Sequence, residues 1–377
     1  MIDRLLEQII KDQMFTGKTI VLLGARQVGK TTLMRKLVEQ YNDTFIWLNG
    51  DDIDVRESFR SVTSTKVKAQ FGDKRLIVID EAQRLENAGL TVKIMHDNLD
   101  DVQLLITGSS SFELTDKIKE SMTGRKWEYR LFPMSIEEIC DHTSWFDEKR
   151  LFEDRLIYGL YPEVVNLPEK RRDTLGVLAN DYLYKDIFAL KDVRKPDILE
   201  KLVKALALQI GNQVSYNELS NLIQADKETI ERYVRLLEDA FIIFRLPSFR
   251  RNLRTELSRM RKIYFFDVGI RNAIINNFAP LELRNDKGAL FENFLISERM
   301  KYNHYHKIYT NQYFWRTHSQ QEIDYIEERD GEIYAYEFKW KEISKSRFPK
   351  TFVNTYNPKV TEVITPDNYM DFVGCGN

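Results

Sequence analysis

Short apolar runs alternate with amphipathic stretches over residues 19–110 of the chain. Short, uninterrupted apolar runs are typical of strands that are covered by helices on both faces of the sheet. They predict strands at Thr19–Leu23, Phe45–Leu48, Leu76–Ile79 and Val102–Thr107. Amphipathic periodicity predicts helices between them, at Thr31–Tyr41 and Leu90–Leu99. Strands that alternate with helices indicate an α/β domain with a largely parallel sheet, which we place at residues 1–135.

The pattern changes after this first domain. Residues 136–195 are mostly helical, and they predict a lid or connector. Residues 196–262 have the spacing of a helix-turn-helix, with predicted helices Ile198–Ile210, Tyr216–Ile223 and Lys227–Ala240 and a strand Phe241–Phe244. Residues 263–377 return to strand patterns, at Ile263–Phe266, Tyr313–Arg316, Glu322–Glu327 and Glu332–Lys339, with a helix at Leu290–Met300.

Composition narrows the classes of protein to be considered. The 377 residues are 43% hydrophobic and 30% charged, which is typical of folded domains. A net charge of -2 excludes a broadly cationic nucleic-acid binder but leaves room for a local basic patch. Two distant cysteines, Cys140 and Cys375, argue against a disulfide scaffold and against a cysteine-rich zinc module. An acidic N-terminus and the lack of any apolar stretch near ~20 residues predict a soluble, reduced, cytoplasmic protein without membrane contact.

The strongest chemical signal is a glycine-rich turn between a predicted strand and a predicted helix. It consists of Gly24, Ala25, Arg26, Gln27, Val28, Gly29, Lys30, Thr31 and Thr32, with the spacing G-x-x-x-x-G-K-[ST]. Glycines let backbone N–H groups close around phosphate oxygens, and the helix N-terminus adds positive potential. Lys30 can reach the β and γ phosphates, and Thr31 offers a hydroxyl to Mg²⁺. The turn therefore predicts that ATP binds here with Mg²⁺.

Two adjacent carboxylates end a later apolar strand. Asp80 is placed to hold the Mg²⁺ shell, and Glu81 to orient and deprotonate the attacking water. An ordinary solvated turn is the alternative for such a pair. The phosphate loop in the same domain favours the catalytic interpretation of the pair over the solvated turn.

Two further candidates for the nucleotide site depend on weaker signals. Ser109 or Ser110 follows the next strand and could sense the γ-phosphate, although such a loop also caps helices. Arg125 precedes the last core strand and could stabilise transition-state charge in its own site or in a neighbour's. A surface arginine is the alternative, and the oligomeric state stays open.

Several motifs resemble those of bacterial and archaeal AAA-type ATPases that carry a C-terminal domain of restriction-endonuclease-like fold. The resemblance rests on GARQVGKTTL, LIVIDEAQ, ITGSSSFEL and TGRKWEYRLFPMSIEEI, and it continues through GLYPEVV, YLYKDI and YFFDVGIRNAI. It spans nearly the whole chain. It implies ATP binding and hydrolysis, a winged helix in the middle of the chain and a nuclease-related domain at its end.

A basic stretch follows the predicted recognition helix. Residues 245–262 carry seven basic side chains against one acid, a local balance of +6 (7 minus 1): Arg245, Arg250, Arg251, Arg254, Arg259, Arg261 and Lys262, with Glu256. A hairpin wing with phosphate-directed arginines would hold double-stranded DNA. The mixed charge of the recognition helix makes base-specific contacts doubtful. The alternative is a winged helix that uses the strip for protein contacts.

A set of carboxylates near the C-terminus suggests a second site. Asp330-Gly331 predicts a two-residue hairpin turn, which places Asp324 opposite Glu337. Facing carboxylates repel each other, and a divalent cation would compensate them. Lys339 shares a face with Glu337. The resemblance adds Glu292 as a helical ligand, so that Glu292, Asp324 and Glu337 would bind Mg²⁺ and Lys339 would orient the water. The alternatives are a charged hairpin whose acids Lys339 alone neutralises, or a degenerate nuclease fold that is kept as a scaffold.

Two classes of function fit these signals. In the first, the chain is an ATPase that acts on DNA, with metal-dependent cleavage in the C-terminal domain. In the second, it is a nucleotide-dependent switch whose C-terminal half binds protein or nucleic acid without chemistry.

Overall fold

The computed structural model describes residues 2–99, 101–109, 122–180, 193, 195–249, 261–317, 319–341 and 348–376. Ser110, the segment YLYKDI and the arginines at 250, 251, 254 and 259 therefore lie outside the described residues. The chain divides into two compact units. The first contains Met1–Pro133 and Asp239–Phe241, and the second contains Met134–Glu238 and Ile242–Asn377.

A five-stranded parallel sheet forms the first unit. Its strands are β1 (Thr19–Leu23), β2 (Phe45–Asn49), β3 (Leu76–Asp80), β4 (Gln103–Gly108) and β5 (Lys126–Arg130). Their order across the sheet is β2-β3-β4-β1-β5. The three inner strands are buried along their whole length, whereas both edge strands are partly exposed. The first four strands match the predicted runs to within two residues.

Helices accompany these strands in the order that an α/β domain requires. They are α1 (Leu5–Lys11), α2 (Lys30–Val38), α3 (Ile53–Ser58), α4 (Ser64–Phe71) and α5 (Ala88–Asn98). Helix α2 begins directly after the glycine-rich turn and buries Leu33, Met34 and Leu37. The predicted extension of this helix to Tyr41 is a 3₁₀ segment, Glu39–Thr44.

The second unit begins with helices, as the sequence predicts for this stretch. These are α6 (Ile136–His142), α7 (Trp145–Arg150), α8 (Phe152–Tyr158), α9 (Pro162–Asn166) and α10 (Arg171–Asn180). Helix α6 begins with a capping box, in which the Ser135 hydroxyl accepts from the Glu138 backbone N–H and the Glu138 carboxylate accepts from the Ser135 N–H. Helix α9 begins with Pro162, which suits the first turn of a helix because it lacks an N–H.

A small sheet and three helices follow. The elements are α11 (Pro196–Leu208), β6 (Gln213–Val214), α12 (Tyr216–Ile223), α13 (Lys227–Asp239), β7 (Ile243–Pro247) and β8 (Arg261–Phe265). Strands β7 and β8 pair antiparallel, and β6 pairs with the other edge of β8. The basic segment 245–262 thus begins in β7 and ends in β8.

The C-terminal part of the second unit contains a four-stranded sheet of order β12-β11-β10-β9. Its elements are α14 (Val268–Ile274), α15 (Lys287–Tyr305), β9 (Asn311–Arg316), β10 (Glu322–Arg329), β11 (Glu332–Phe338), α16 (Lys350–Tyr356), β12 (Val360–Ile364) and α17 (Tyr369–Phe372). Asp330 and Gly331 have φ angles of 49° and 83°, which both central residues of a type I′ turn require. Arg329 pairs with Glu332 and Tyr325 with Tyr336, in the register that the turn predicts.

The expectation of two separate, reduced cysteines is wrong. Cys140, in α6, and Cys375 form a disulfide with their Cα atoms 6.4 Å apart. Both cysteines belong to the second unit, and they are 235 residues apart in the sequence. The prediction assumed that cysteines far apart in the sequence are also far apart in space. The fold of this unit instead brings the end of the chain back to α6. A cross-link over so long a loop limits the unfolded chain strongly.

Candidate functional site

The glycine-rich turn lies at the carboxyl end of β1 and is confined by its neighbours. A Cβ atom on Gly24 would approach the Leu131 carbonyl oxygen to 2.2 Å, so only glycine fits there. Gly29 has a φ of 97°, and Gln27 a φ of 60°. Backbone in this left-handed region turns successive N–H groups toward one concave surface, which is a ready anion site. Ala25 and Val28 are buried, while Arg26, Gln27 and Thr32 are exposed.

Lys30 is the first residue of α2, and its side chain returns to the start of the turn. Its side chain is only 5% exposed, and its ammonium donates to the carbonyls of Gly24 at 3.0 Å and Ala25 at 2.8 Å. The turn is thereby closed by its own lysine.

Asp80, the last residue of β3, contacts both the start of α2 and the end of β4. The Thr31 hydroxyl donates to Asp80 Oδ2 at 2.9 Å, and the Thr107 hydroxyl donates to Asp80 Oδ1. The predicted partners Thr31 and Asp80 are therefore in contact. A hydroxyl beside a carboxylate supplies the hard oxygen ligands that Mg²⁺ prefers, so these residues fit the ion that ATP carries.

Glu81 follows Asp80 with a φ of 52°, a conformation that turns its side chain away from the strand direction. Its carboxylate accepts from the Gln83 side-chain amide, and the same Gln83 nitrogen donates to Ser109 Oγ at 2.9 Å. The predicted residues Glu81 and Ser109 are thus linked through Gln83. Sequence reasoning missed both Gln83 and Thr107, although Thr107 is the polar residue at the end of an apolar strand.

Arg125 does not lie at this edge of the sheet. It precedes β5, and Thr19 at the start of β1 pairs with the next residue, Lys126. Parallel strands place both starts at the edge opposite the turn, about five residues or ~16 Å away. Arg125 instead pairs with Asp97 at 2.8 Å. A role in its own site is therefore wrong. Arg130, which pairs with Leu23, is the arginine at the phosphate-loop end of β5.

The described part of the basic segment is engaged within the protein. Arg245 forms an ion pair with Glu238, and Arg261 lies over the Tyr216 ring at 4.2 Å. Lys262 is 2% exposed and is paired with acids. Arg245 and Lys262 thus offset acids of the protein itself, which lowers the positive charge of this segment below the local balance of +6. The remaining basic residues of the segment lie outside the described residues.

The predicted C-terminal cluster is present in part. Lys339 Nζ lies 2.9 Å from Glu337 Oε2 and 3.5 Å from Asp324 Oδ2. The Phe338 backbone N–H also donates to Asp324. Burial raises the pKa of Glu337, although Lys339 opposes that rise. Burial alone would lower the pKa of Lys339, but Asp324 and Glu337 raise it. The lysine therefore stays charged and offsets the facing carboxylates.

Glu292, the third predicted metal ligand, is engaged by a lysine and a tyrosine. Its carboxylate accepts from Lys262 Nζ at 2.8 Å and from the Tyr264 hydroxyl. The same ammonium lies 2.6 Å from Glu322 Oε1. Burial opposes the charge on Lys262, yet the carboxylates around it, led by Glu292, raise its pKa. Within the described residues, no group of three or more His, Cys, Asp or Glu side chains is arranged to hold a metal ion. The buried ammonium of Lys262 therefore lies beside Glu292, where the sequence predicted a metal ion.

Comparison with known families covers most of the chain in three pieces. Residues 16–140 match a family described as an AAA domain. Residues 149–281 and 287–369 match two families described as domains of unknown function. The first match, with the parallel sheet and the phosphate loop, supports an AAA-type P-loop ATPase. The third match does not establish a restriction-endonuclease-like domain.

Similar proteins occur in bacteria and archaea. An uncharacterized protein of Methanocaldococcus jannaschii is 21% identical, over 97% of this chain and 88% of its own. One of Haemophilus influenzae is 25% identical, over 72% and 71%. One of Mycobacterium tuberculosis is 27% identical, over 85% and 70%.

Similarity to solved structures is loose. The Pif1 helicase of Candida albicans has a TM-score of 0.28 at 12% identity, over 40% of this chain and 44% of that one. A structure of Drosophila ORC bound to AT-rich DNA and Cdc6 has a TM-score of 0.24 at 9% identity, over 71% and 88%. Scores this low carry no argument about function. Among the described residues, no helix has both the length and the apolar composition to cross a membrane.

The nucleotide site yields a first prediction. Lys30→Ala should weaken ATP binding, because the ammonium that is predicted to reach the β and γ phosphates is lost. Glu81→Gln should retain binding and lose turnover by ~10²–10⁴-fold, the range for a missing general base. Equilibrium binding and steady-state turnover distinguish the two effects. Normal turnover in Glu81→Gln would remove Glu81 from the catalytic role.

The buried lysine yields a second prediction. Lys262→Met should destabilise the protein by about 3–5 kcal/mol, because it leaves Glu292 and Glu322 without their shared partner. Adding Glu292→Gln to that variant should restore part of the loss. Denaturant unfolding measures both changes. A loss below about 1 kcal/mol in Lys262→Met would show that the lysine does not hold the cluster together.

A metal titration of the wild type and of Asp324→Asn tests the predicted metal site separately. In the absence of nucleotide, Mn²⁺ should stabilise the wild type and Asp324→Asn equally, since Lys262 and Lys339 already neutralise the acids. A metal that bound only the folded wild type would add about 2.7 kcal/mol at 100 times its dissociation constant. If the wild type gained that much stability and Asp324→Asn did not, the result would support a metal site at Asp324.

Proposed function

We propose that this chain is an ATP-hydrolysing enzyme of the AAA type that requires Mg²⁺ and acts on double-stranded DNA. The observation that carries the ATPase part is the contact of Asp80 with Thr31 and Thr107 beside Lys30. These side chains come from separate elements and converge at the carboxyl edge of the sheet, where open α/β sheets bind their ligands.

Each residue of this site has a distinct task. Lys30 exchanges its loop carbonyls for β- and γ-phosphate oxygens, and the N–H groups of residues 25–29 hold the remaining oxygens. Mg²⁺, when bound, neutralises developing charge on the phosphates. Thr31 and Asp80 would hold it. Glu81 accepts the proton of the attacking water after its hydrogen bond to Gln83 is released, and Ser109 is freed by the same movement.

DNA binding is supported by the order of elements in the second unit. The order α11-β6-α12-α13-β7-β8, with antiparallel β7 and β8, supports the proposal of a winged helix, in which α13 would be the recognition helix. The wing is proposed for the stretch between Phe249 and β8, which lies outside the described residues. Its charge comes from arginines at 250, 251, 254 and 259 against Glu256, a balance of +3 (4 minus 1). Phosphate contacts from such a wing give affinity without sequence preference.

We propose that the C-terminal half binds a partner and does not cleave DNA. The observation in favour is Lys262, which lies between Glu292 and Glu322 and compensates their charge. Hydrolysis of ATP in the first unit would then change how strongly the second unit holds its partner. Protein contacts by the wing are the competing outcome.

A third prediction tests the DNA partner. The double variant Arg250→Ala/Arg251→Ala should weaken binding to duplex DNA of any sequence. It should also reduce the salt dependence of the logarithm of affinity by about 2, one for each lost phosphate contact. Fluorescence anisotropy across a salt series gives both quantities, and ATP turnover with and without the duplex can be measured on the same preparations.

The matched control removes the same charge from the recognition helix. Arg232→Ala/Arg235→Ala should leave the salt slope nearer to that of the wild type, because α13 carries acids beside these arginines. If the wing variant keeps both the wild-type affinity and the wild-type slope, the wing contacts protein and the DNA proposal fails.

A further inference from the structure

Arg4 lies close to the phosphate loop although it precedes the loop by twenty residues and stands outside the matched AAA range. It is the residue before α1. Its Nη1 donates to the Val28 carbonyl at 2.7 Å, and its Nη2 donates to the Phe132 carbonyl at 2.7 Å. One guanidinium therefore holds the loop and the segment that follows β5 at the same time.

The contact with Val28 fixes the orientation of one loop peptide. In a planar trans peptide, the carbonyl of one residue and the N–H of the next point in opposite directions. When Arg4 holds the Val28 carbonyl on the outer side of the turn, the Gly29 N–H is directed to the inner side. Gly29 has a φ of 97°, so the following peptide is turned as well. The inner side is where phosphate oxygens are expected.

The second carbonyl makes this contact specific for arginine. Phe132 follows Leu131, whose N–H donates to the Leu23 carbonyl at 2.7 Å, so this segment is fixed against the end of β1. A guanidinium presents donors in a planar fork and can serve two carbonyls at once. An ammonium is a point charge on a flexible stem, and it would hold the two carbonyls less rigidly.

The helix that follows Arg4 is attached to the helix that follows the loop. Lys36 in α2 lies 2.6 Å from Asp3 and 2.6 Å from Glu7 in α1. Leu6 and Ile10 of α1 are buried. The N-terminal segment is thus part of the packed unit, and Arg4 reaches the loop from a fixed base.

We propose that Arg4 is a positioning residue of the nucleotide site, which presets the Val28–Gly29 peptide so that the Gly29 N–H faces a phosphate of the bound nucleotide. This rests on the proposed ATPase function. Because the N–H meets a phosphate in the ground state and in the transition state alike, Arg4 should contribute to nucleotide affinity and little to the chemical step.

The test compares Arg4→Ala and Arg4→Lys with the wild type. In Arg4→Ala, the Kd of ATP and ADP and the KM of ATP should rise about tenfold, the effect of one lost hydrogen bond of ordinary strength. The rise should be smaller in Arg4→Lys. Values of kcat should stay within about twofold. Calorimetric titration and steady-state kinetics measure these quantities, and Arg4→Lys keeps the test informative if Arg4→Ala fails to fold.

Gln8→Ala serves as the control, since it removes an exposed side chain of α1 that donates to Asp12 but keeps Arg4 and both ion pairs of Lys36. Its Kd should equal that of the wild type. Equal nucleotide affinity in the wild type and both Arg4 variants would overturn the assignment. So would a fall in kcat with unchanged KM, which indicates only a smaller folded fraction. A wild type that binds no ATP would instead sink the proposed function, and this inference with it.

Discussion

The arrangement of the first unit depends on one buried carboxylate. Asp80 is 6% exposed and accepts hydroxyl hydrogen bonds from Thr31 at the start of α2 and from Thr107 at the end of β4. A buried charge without partners would be costly, so these contacts are obligatory. They hold the loop, β3 and β4 at one edge of the sheet. The Thr107 hydroxyl also accepts from the Glu81 N–H, at 3.0 Å, so the second acid is positioned by the same contact.

Features with a local signal could be predicted from the sequence, and features set by strand direction could not. The loop between β1 and α2 and the turn at Asp330-Gly331 follow from the backbone preferences of a few consecutive residues. The hairpin register then follows by counting. Arg125 was misplaced because β5 runs parallel to β1, which puts the start of β5 at the edge opposite the phosphate loop, and nothing in the local sequence shows this direction.

Charge counting along the chain has the same limit. Residues 245–262 have a large positive balance, but Arg245 and Lys262 pair with Glu238, Glu292 and Glu322, which lie elsewhere in the sequence. The carboxylates of the C-terminal cluster suggested a metal for the same reason, since their lysine partner in β8 is 30 residues from Glu292. A local charge excess therefore predicts a binding surface only when its members are not paired inside the fold.

The most direct test of the nucleotide site is Mg²⁺-dependent ATP turnover in Asp80→Asn, with thermal unfolding measured on the same preparation. Asparagine keeps an oxygen that can accept from Thr107 or Thr31, so we expect the variant to remain folded. It removes the negative charge that Mg²⁺ requires, so turnover should fall by at least about 10²-fold, which corresponds to ~2.7 kcal/mol of lost transition-state stabilisation. Turnover equal to that of the wild type would contradict the assignment of this edge of the sheet as the site of ATP hydrolysis.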